Sequence, residues 1–202
     1  MTTLQLGAGI RPLQGAVNHD LWKHHDYVDV AWDLDIIPWP WKDETFDKVV
    51  ALDVMEHLRR DVQAWLDECW RILRPGGQLV LRLPAWNNPV SYRDPTHRHV
   101  FHEETFFYWD RSQQLWKDYG SFYFGPGYNK WWTVERIERV NPPTPTGDLG
   151  FVLRKQARRG ALAYDADDVA QRYWKPLLEE LEQRIEDEDS TPTFNSLAGV
   201  AV

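Results

Sequence analysis

The chain begins with an apolar run, Thr3-Leu4-Gln5-Leu6, that delivers it into Gly7-Ala8-Gly9. Glycine has no Cβ and tolerates positive φ, so a strand ending in a glycine pair can turn sharply and lets a ligand approach the backbone. Such a tripeptide is common in loops that bind nothing. What constrains the fold is the order of features behind it. A second short strand over residues 16–19 ends on Asp20, and a third over residues 27–31 leads into Asp33-Leu34-Asp35. A fourth, over residues 46–52, ends on Asp53 and is followed by Glu56-His57-Leu58.

Residues 59–73 read as an amphipathic helix, because Val62, Trp65, Leu66, Cys69, Ile72 and Leu73 recur at spacings of three and four. Arg74-Pro75-Gly76-Gly77 stops that helix and feeds an apolar strand over residues 78–83. Three β–α–β units in a row are expected, which argues for a parallel sheet. The run Val49 to Leu52 suits a strand buried on both faces. Between Gly9 and Asp20, however, only ten residues are available, among them Arg11-Pro12-Leu13-Gln14-Gly15. Parallel neighbours normally need a dozen or more, so the first crossover has room for one helical turn at most.

This succession of motifs, over roughly residues 3–84, resembles the class I S-adenosylmethionine-dependent methyltransferases, and within them the small Methyltransferase-11-like members with a shortened first crossover. The resemblance implies a Rossmann-like α/β three-layer sandwich with a mostly parallel seven-stranded sheet and an antiparallel edge hairpin. The expected hairpin pairs residues 133–140 with residues 149–153 across the Pro-rich turn 141–148. The resemblance also implies S-adenosyl-L-methionine as cofactor. In similar enzymes Gly7, Ala8 and Gly9 would admit its methionine part, and Asp20 would accept the ribose hydroxyls. Asp33 would meet the adenine amino group, with Leu34 packing on the ring and Asp35 as the competing acid. Asp53, at a strand tip, is placed to meet cofactor or substrate.

Two histidines are candidates for proton transfer, since imidazole titrates near neutrality. His57 lies in Glu56-His57-Leu58, and His97 in Asp94-Pro95-Thr96-His97, a segment that follows the fifth strand in many similar enzymes. A structural role for the first and a loop-capping role for the second are the plain alternatives. His97, His99 and His102 form a local enrichment, but His-x-His-x-x-His offers no fourth ligand and Arg98 in its middle would oppose a cation; no metal is expected.

With 202 residues the chain can hold one domain of real core, expected over residues 1–158 with a substrate-side insertion at 85–130. Residues 159–202 are expected to form an acidic helical extension, since the stretch from Lys175 to Asp189 carries seven acids against Lys175 and Arg184. That stretch accounts for five of the eight net negative charges, and the acidic balance argues against a general grip on nucleic acid. Twelve tryptophans are many for this length and are read first as core and loop cover, second as an aromatic pocket. Cys69, the single cysteine, is expected to be buried and inert. The chain shows no basic-then-apolar leader and no long apolar run, so a cytoplasmic protein that does not enter the membrane is expected.

The expected activity is methyl transfer to an oxygen or nitrogen of a small molecule, sugar or glycan. The rival expectation is a non-catalytic member of the fold that binds a nucleoside and acts through the acidic extension. The oligomeric state is left open by the sequence.

Overall fold

The computed structural model of the protein describes residues 1–125, 127–140 and 147–156. Seven strands form one sheet: β1 (Thr3–Leu6), β2 (Val17–Asp20), β3 (Val30–Ala31), β4 (Phe46–Leu52), β5 (Leu73–Pro84), β6 (Trp132–Val140) and β7 (Asp148–Lys155). Their spatial order is β3-β2-β1-β4-β5-β7-β6. The first five pair in parallel, and β7 joins antiparallel between β5 and β6. This is the expected mostly parallel sheet with its edge hairpin. The chain winds outward from β1 in two directions, to β2 on one side and β4 on the other. A cleft therefore opens beyond the carboxyl ends of these strands, the usual ligand position in open α/β sheets.

The connections depart from expectation. Only the β4–β5 crossover carries a helix longer than five residues among the described residues, α1 (Val62–Ile72). Asp61 caps it by accepting from the Ala64 N–H at 2.7 Å. Trp65, Leu66, Cys69, Trp70 and Ile72 are buried along one side, at about 2 kcal/mol for each large apolar group removed from water. The first crossover is held by side chains instead. Gln5 donates to the Arg11 carbonyl at 3.0 Å and accepts from the Leu13 N–H at 2.5 Å, while Asn18 Oδ1 accepts from the same N–H at 3.0 Å. The third strand shrinks to two residues, because the Asp29 carboxylate takes the Asn18 N–H at 2.8 Å where a ladder bond would stand.

The fourth strand is buried on one face only. Val49 and Ala51 are fully covered, whereas Val50 is half-buried and Leu52 is exposed. β7 alternates in the same way, with Leu149, Phe151, Leu153 and Lys155 inward. The covered face packs against α1 and against Phe101, Phe106 and Trp109 from the 85–130 segment. Much of that segment is thus core: Phe106 meets Phe151 edge-on at 4.8 Å and Trp65 at 6.1 Å. Within it, Thr105–Trp109 forms a 3-10 turn.

The tryptophans follow their first reading. Trp39, Trp65, Trp70, Trp131 and Trp132 are buried, while Trp22 and Trp86 are exposed. Cys69 is fully buried, and burial pushes its thiol up. Among the described residues no helix is long and apolar enough to cross a membrane. The turn 141–146 and the acidic extension expected over residues 159–202 lie outside the described residues.

Candidate active site

At the carboxyl ends of β1, β2 and β4 lies a cavity of about 350 Å³ whose lining includes Gly7, Gly9, Asp20, Asp33, Leu34, Asp53 and His57. Its volume falls in the range of small-molecule sites. Four carboxylates, Asp20, Asp33, Asp35 and Asp53, share it with an apolar wall of Leu34, Val54 and Leu58. Carboxylates beside an apolar wall suit a nucleoside, with hydroxyl and amino donors on a flat ring.

The glycine turn adopts the conformation it was read for. Gly7 and Gly9 have φ of 62° and 51°. A Cβ on Gly7 would stand 2.3 Å from Val54 Cγ2, so this position is closed to side chains by contact as well as by φ. Asp20 Oδ2 accepts from the Gly9 N–H at 2.7 Å, and Oδ1 from the Leu21 N–H at 2.7 Å. Ala8 is buried beneath the turn, its N–H bonded to the His19 carbonyl at 2.8 Å, and it does not line the cavity.

His19 was not singled out in the sequence. Its Nε2 lies 2.8 Å from the Trp32 carbonyl and must donate to it, so Nδ1 is left to accept the Gly7 N–H at 3.4 Å. Burial pushes its pKa down, which keeps this neutral clamp in place. A polar strand of four residues carries no periodic signal for such a role.

Asp33 and Asp35 divide their work. Asp35 Oδ1 accepts from the Arg59 and Arg60 N–H groups at 2.8 and 3.1 Å, and Oδ2 from Arg59 Nε at 2.8 Å. Burial pushes the Asp35 carboxyl up, but the Arg59 guanidinium and these N–H groups outweigh it and hold it below its ordinary value. Asp33 is less engaged: it caps the Asp35 N–H at 3.0 Å and touches Arg59 at 3.3 Å. Leu34 is buried between them and lines the cavity. Asp53 has φ of 58°, and its carboxylate forms a two-bond ion pair with Arg82, one bond of 3.0 Å through Nε and a second through Nη2.

Beside Asp53 the chain makes a 3-10 turn, Met55–His57. His57 lines the cavity, and His97 stands behind it with its ring edge-on at 4.6 Å. The segment carrying His97 is docked by its backbone, since the Arg98 and His99 N–H groups both reach the Glu56 carbonyl, at 2.6 and 3.2 Å. Burial, with the neighbouring His97 second, pushes the His57 pKa down. Glu56 is 1 % exposed, and burial pushes its carboxyl up to about 8 against the pull of its own N–H, with Asp53 adding to the rise. The three histidines that are adjacent in sequence part company. His99 Nε2 bonds the Arg60 carbonyl at 2.8 Å, and His102 turns toward Glu103 and Glu104.

Comparison with known proteins agrees with this architecture. Residues 20–81 match the family model described as a methyltransferase domain. No curated protein matches the chain by sequence. Among solved structures, a Haemonchus contortus phosphoethanolamine N-methyltransferase 1 superposes with a TM-score of 0.52 at 12 % identity, over 93 % of this chain and 46 % of that one. A chain from a Haloferax volcanii complex of the Trm112 methyltransferase activator gives 0.51 at 15 % identity, over 77 % and 83 %. A Thermotoga maritima S-adenosylmethionine-dependent methyltransferase, described as a possible histamine N-methyltransferase, gives 0.50 at 12 % identity, over 77 % and 82 %. At these identities the superpositions speak for the fold, and the family model speaks for the segment that builds the cleft. Residues 20–81 are thus similar to a methyltransferase domain, and the sheet around them has the fold of the methyltransferase structures on which it superposes.

Proposed function

We propose that the protein transfers a methyl group from S-adenosyl-L-methionine to an oxygen or nitrogen of a small molecule, sugar or glycan. The observation that carries this reading is the cavity itself, in which the glycine turn, four carboxylates, an apolar wall and His57 converge at the switch point of the sheet. Bound there, the cofactor supplies a methyl on a sulfonium, electrophilic without further activation.

The chain's residues then have positional tasks. Gly7 and Gly9 keep the floor free of side chains for the amino-acid part. Asp20 has lone pairs beyond those given to the Gly9 and Leu21 N–H groups and accepts the ribose hydroxyls. Asp33, less saturated than Asp35, accepts from the adenine amino group, and Leu34 covers the ring. Asp53, paired with Arg82, lines the same cavity as His57. His57, on the wall, faces the acceptor, and His97 supports it from behind; the acceptor loses its proton beside this pair.

The test is transfer of labelled methyl from S-adenosylmethionine to a panel of hydroxyl- and amine-bearing acceptors by the full-length chain. Turnover of at least one acceptor, reduced at least tenfold in His57→Ala, is expected. A folded protein that binds the cofactor but methylates no class of acceptor would replace this reading with the non-catalytic one.

A further inference from the structure

Glu56, His57 and His97 come together from two separate parts of the chain. A carboxylate oxygen and one imidazole nitrogen from each histidine all lie within 4.8 Å of one another. Neither carboxylate oxygen of Glu56 has a hydrogen-bond partner in the described structure, although the residue is 1 % exposed. His97 Nδ1 is likewise buried without a partner. Orphaned buried polar atoms are costly and rare, and here they belong to two of the three residues that come together, which calls for a common occupant.

The surrounding bonds prepare the imidazoles to ligate. The single hydroxyl proton of Thr96 goes to Asp94 Oδ1 at 2.6 Å, so Thr96 Oγ1 must accept from His57 Nδ1–H at 2.9 Å. That bond leaves the His57 Nε2 lone pair free. Asp94 Oδ2 also lies 3.8 Å from His97 Nε2, on the ring edge opposite the orphaned Nδ1. A carboxylate behind a ligating histidine is the usual outer support of a metal site.

We propose that Glu56, His57 and His97 bind one divalent first-row transition cation, with open coordination positions toward the cavity that His57 lines. Two imidazoles and a carboxylate suit zinc, manganese, cobalt or iron(II) better than magnesium or calcium, which prefer all-oxygen sets. A point equidistant from three atoms 4.8 Å apart lies about 2.8 Å from each, against roughly 2.0–2.2 Å for a bonded ligand, so each donor need move less than ~1 Å. Where the methyl-transfer reading holds, the open positions would take an oxygen or nitrogen of the acceptor, and the histidines would serve as ligands instead of bases.

The test uses tag-free, chelator-treated full-length protein titrated with Co²⁺ in the absence of any adenosyl compound, so its outcome is independent of methyl transfer. One equivalent of Co²⁺ should bind, with visible absorption of a low-symmetry nitrogen–oxygen site, and Zn²⁺ should displace it. Glu56→Gln, close in shape to the native residue, and His97→Ala should each weaken binding about 10–100-fold. His99→Ala and His102→Ala should leave it unchanged. Absence of saturable binding by folded protein, or equal binding by Glu56→Gln and His97→Ala, would overturn the proposal. So would loss of binding in His99→Ala or His102→Ala as large as in His97→Ala.

Discussion

Asp20 Oδ2 accepts a 2.7 Å hydrogen bond from the N–H of Gly9, so the acid at the tip of β2 holds the glycine turn at the tip of β1. The two features read separately from the sequence are one device. The bond spans a crossover too short for a helix, and it replaces the rigidity that a helix would have supplied.

The two glycines should differ in cost. Gly7→Ala forces a Cβ against Val54 as well as a positive φ, whereas Gly9→Ala meets no atom within 4 Å and bears only the φ penalty. Urea denaturation should show Gly9→Ala losing about 1 kcal/mol and Gly7→Ala about 2–4 kcal/mol. Adding Val54→Ala to Gly7→Ala should recover part of the difference; no recovery would mean that contact with Val54 is not the cause.

The neighbouring acids should separate stability from binding. Asp35→Ala removes the acceptor of two backbone N–H groups and of Arg59, and should lower the melting temperature. Asp33→Ala should leave that temperature nearly unchanged and weaken adenosyl-ligand affinity. The reverse pattern would exchange their roles.

Glu68 anchors the loop before β4. It accepts from the Trp39 N–H at 2.7 Å and from Arg71 Nε and Nη2 at 2.8 and 2.7 Å. Burial pushes its carboxyl up, but Arg71 and the Trp39 N–H outweigh it and hold the pKa below its ordinary value. A carboxyl lowered on folding contributes stability that is full above the unfolded pKa of roughly 4.3 and is lost as pH falls through the folded value. Glu68→Gln should therefore be less stable than the native chain at pH 7, and the gap should narrow below about pH 4. Glu68→Ala removes the acceptor of the Trp39 N–H and of two Arg71 bonds, while Asp43 and the Trp39 and Trp41 carbonyls still hold Arg71, and should cost about 2 kcal/mol.

The strands and the glycine turn could be read from the sequence because both are local: apolar runs, φ-tolerant residues and acids at strand ends. The hairpin of β6 and β7 could be read for the same reason. Among the described residues no helix stands in the second and third crossovers, where Asp29 takes the Asn18 N–H and Asp35 ties its loop to Arg59 and Arg60 one bond at a time. No periodicity marks that work. The one-sided burial of β4 was also hidden, since Val49-Val50-Ala51-Leu52 looks alike on both faces. His19 and Glu68 are polar residues in short or apolar stretches, and their partners are distant in sequence. The histidine run drew attention to residues 97–102, whereas the cluster that forms takes only His97 from it and joins it to Glu56 and His57, forty residues away, through the docking of two backbone N–H groups on the Glu56 carbonyl.

The central claim is that the cleft binds the adenosyl cofactor through Asp20. Calorimetric titration with S-adenosylhomocysteine and S-adenosylmethionine tests it most directly, with Asp20→Asn alongside, since the asparagine oxygen can still accept from the Gly9 N–H while the charge and the acceptor of the Leu21 N–H are lost. The account predicts saturable one-to-one binding by the native chain, weakened at least tenfold in a folded Asp20→Asn variant. Binding absent from folded native protein, or equally tight in the variant, would contradict it.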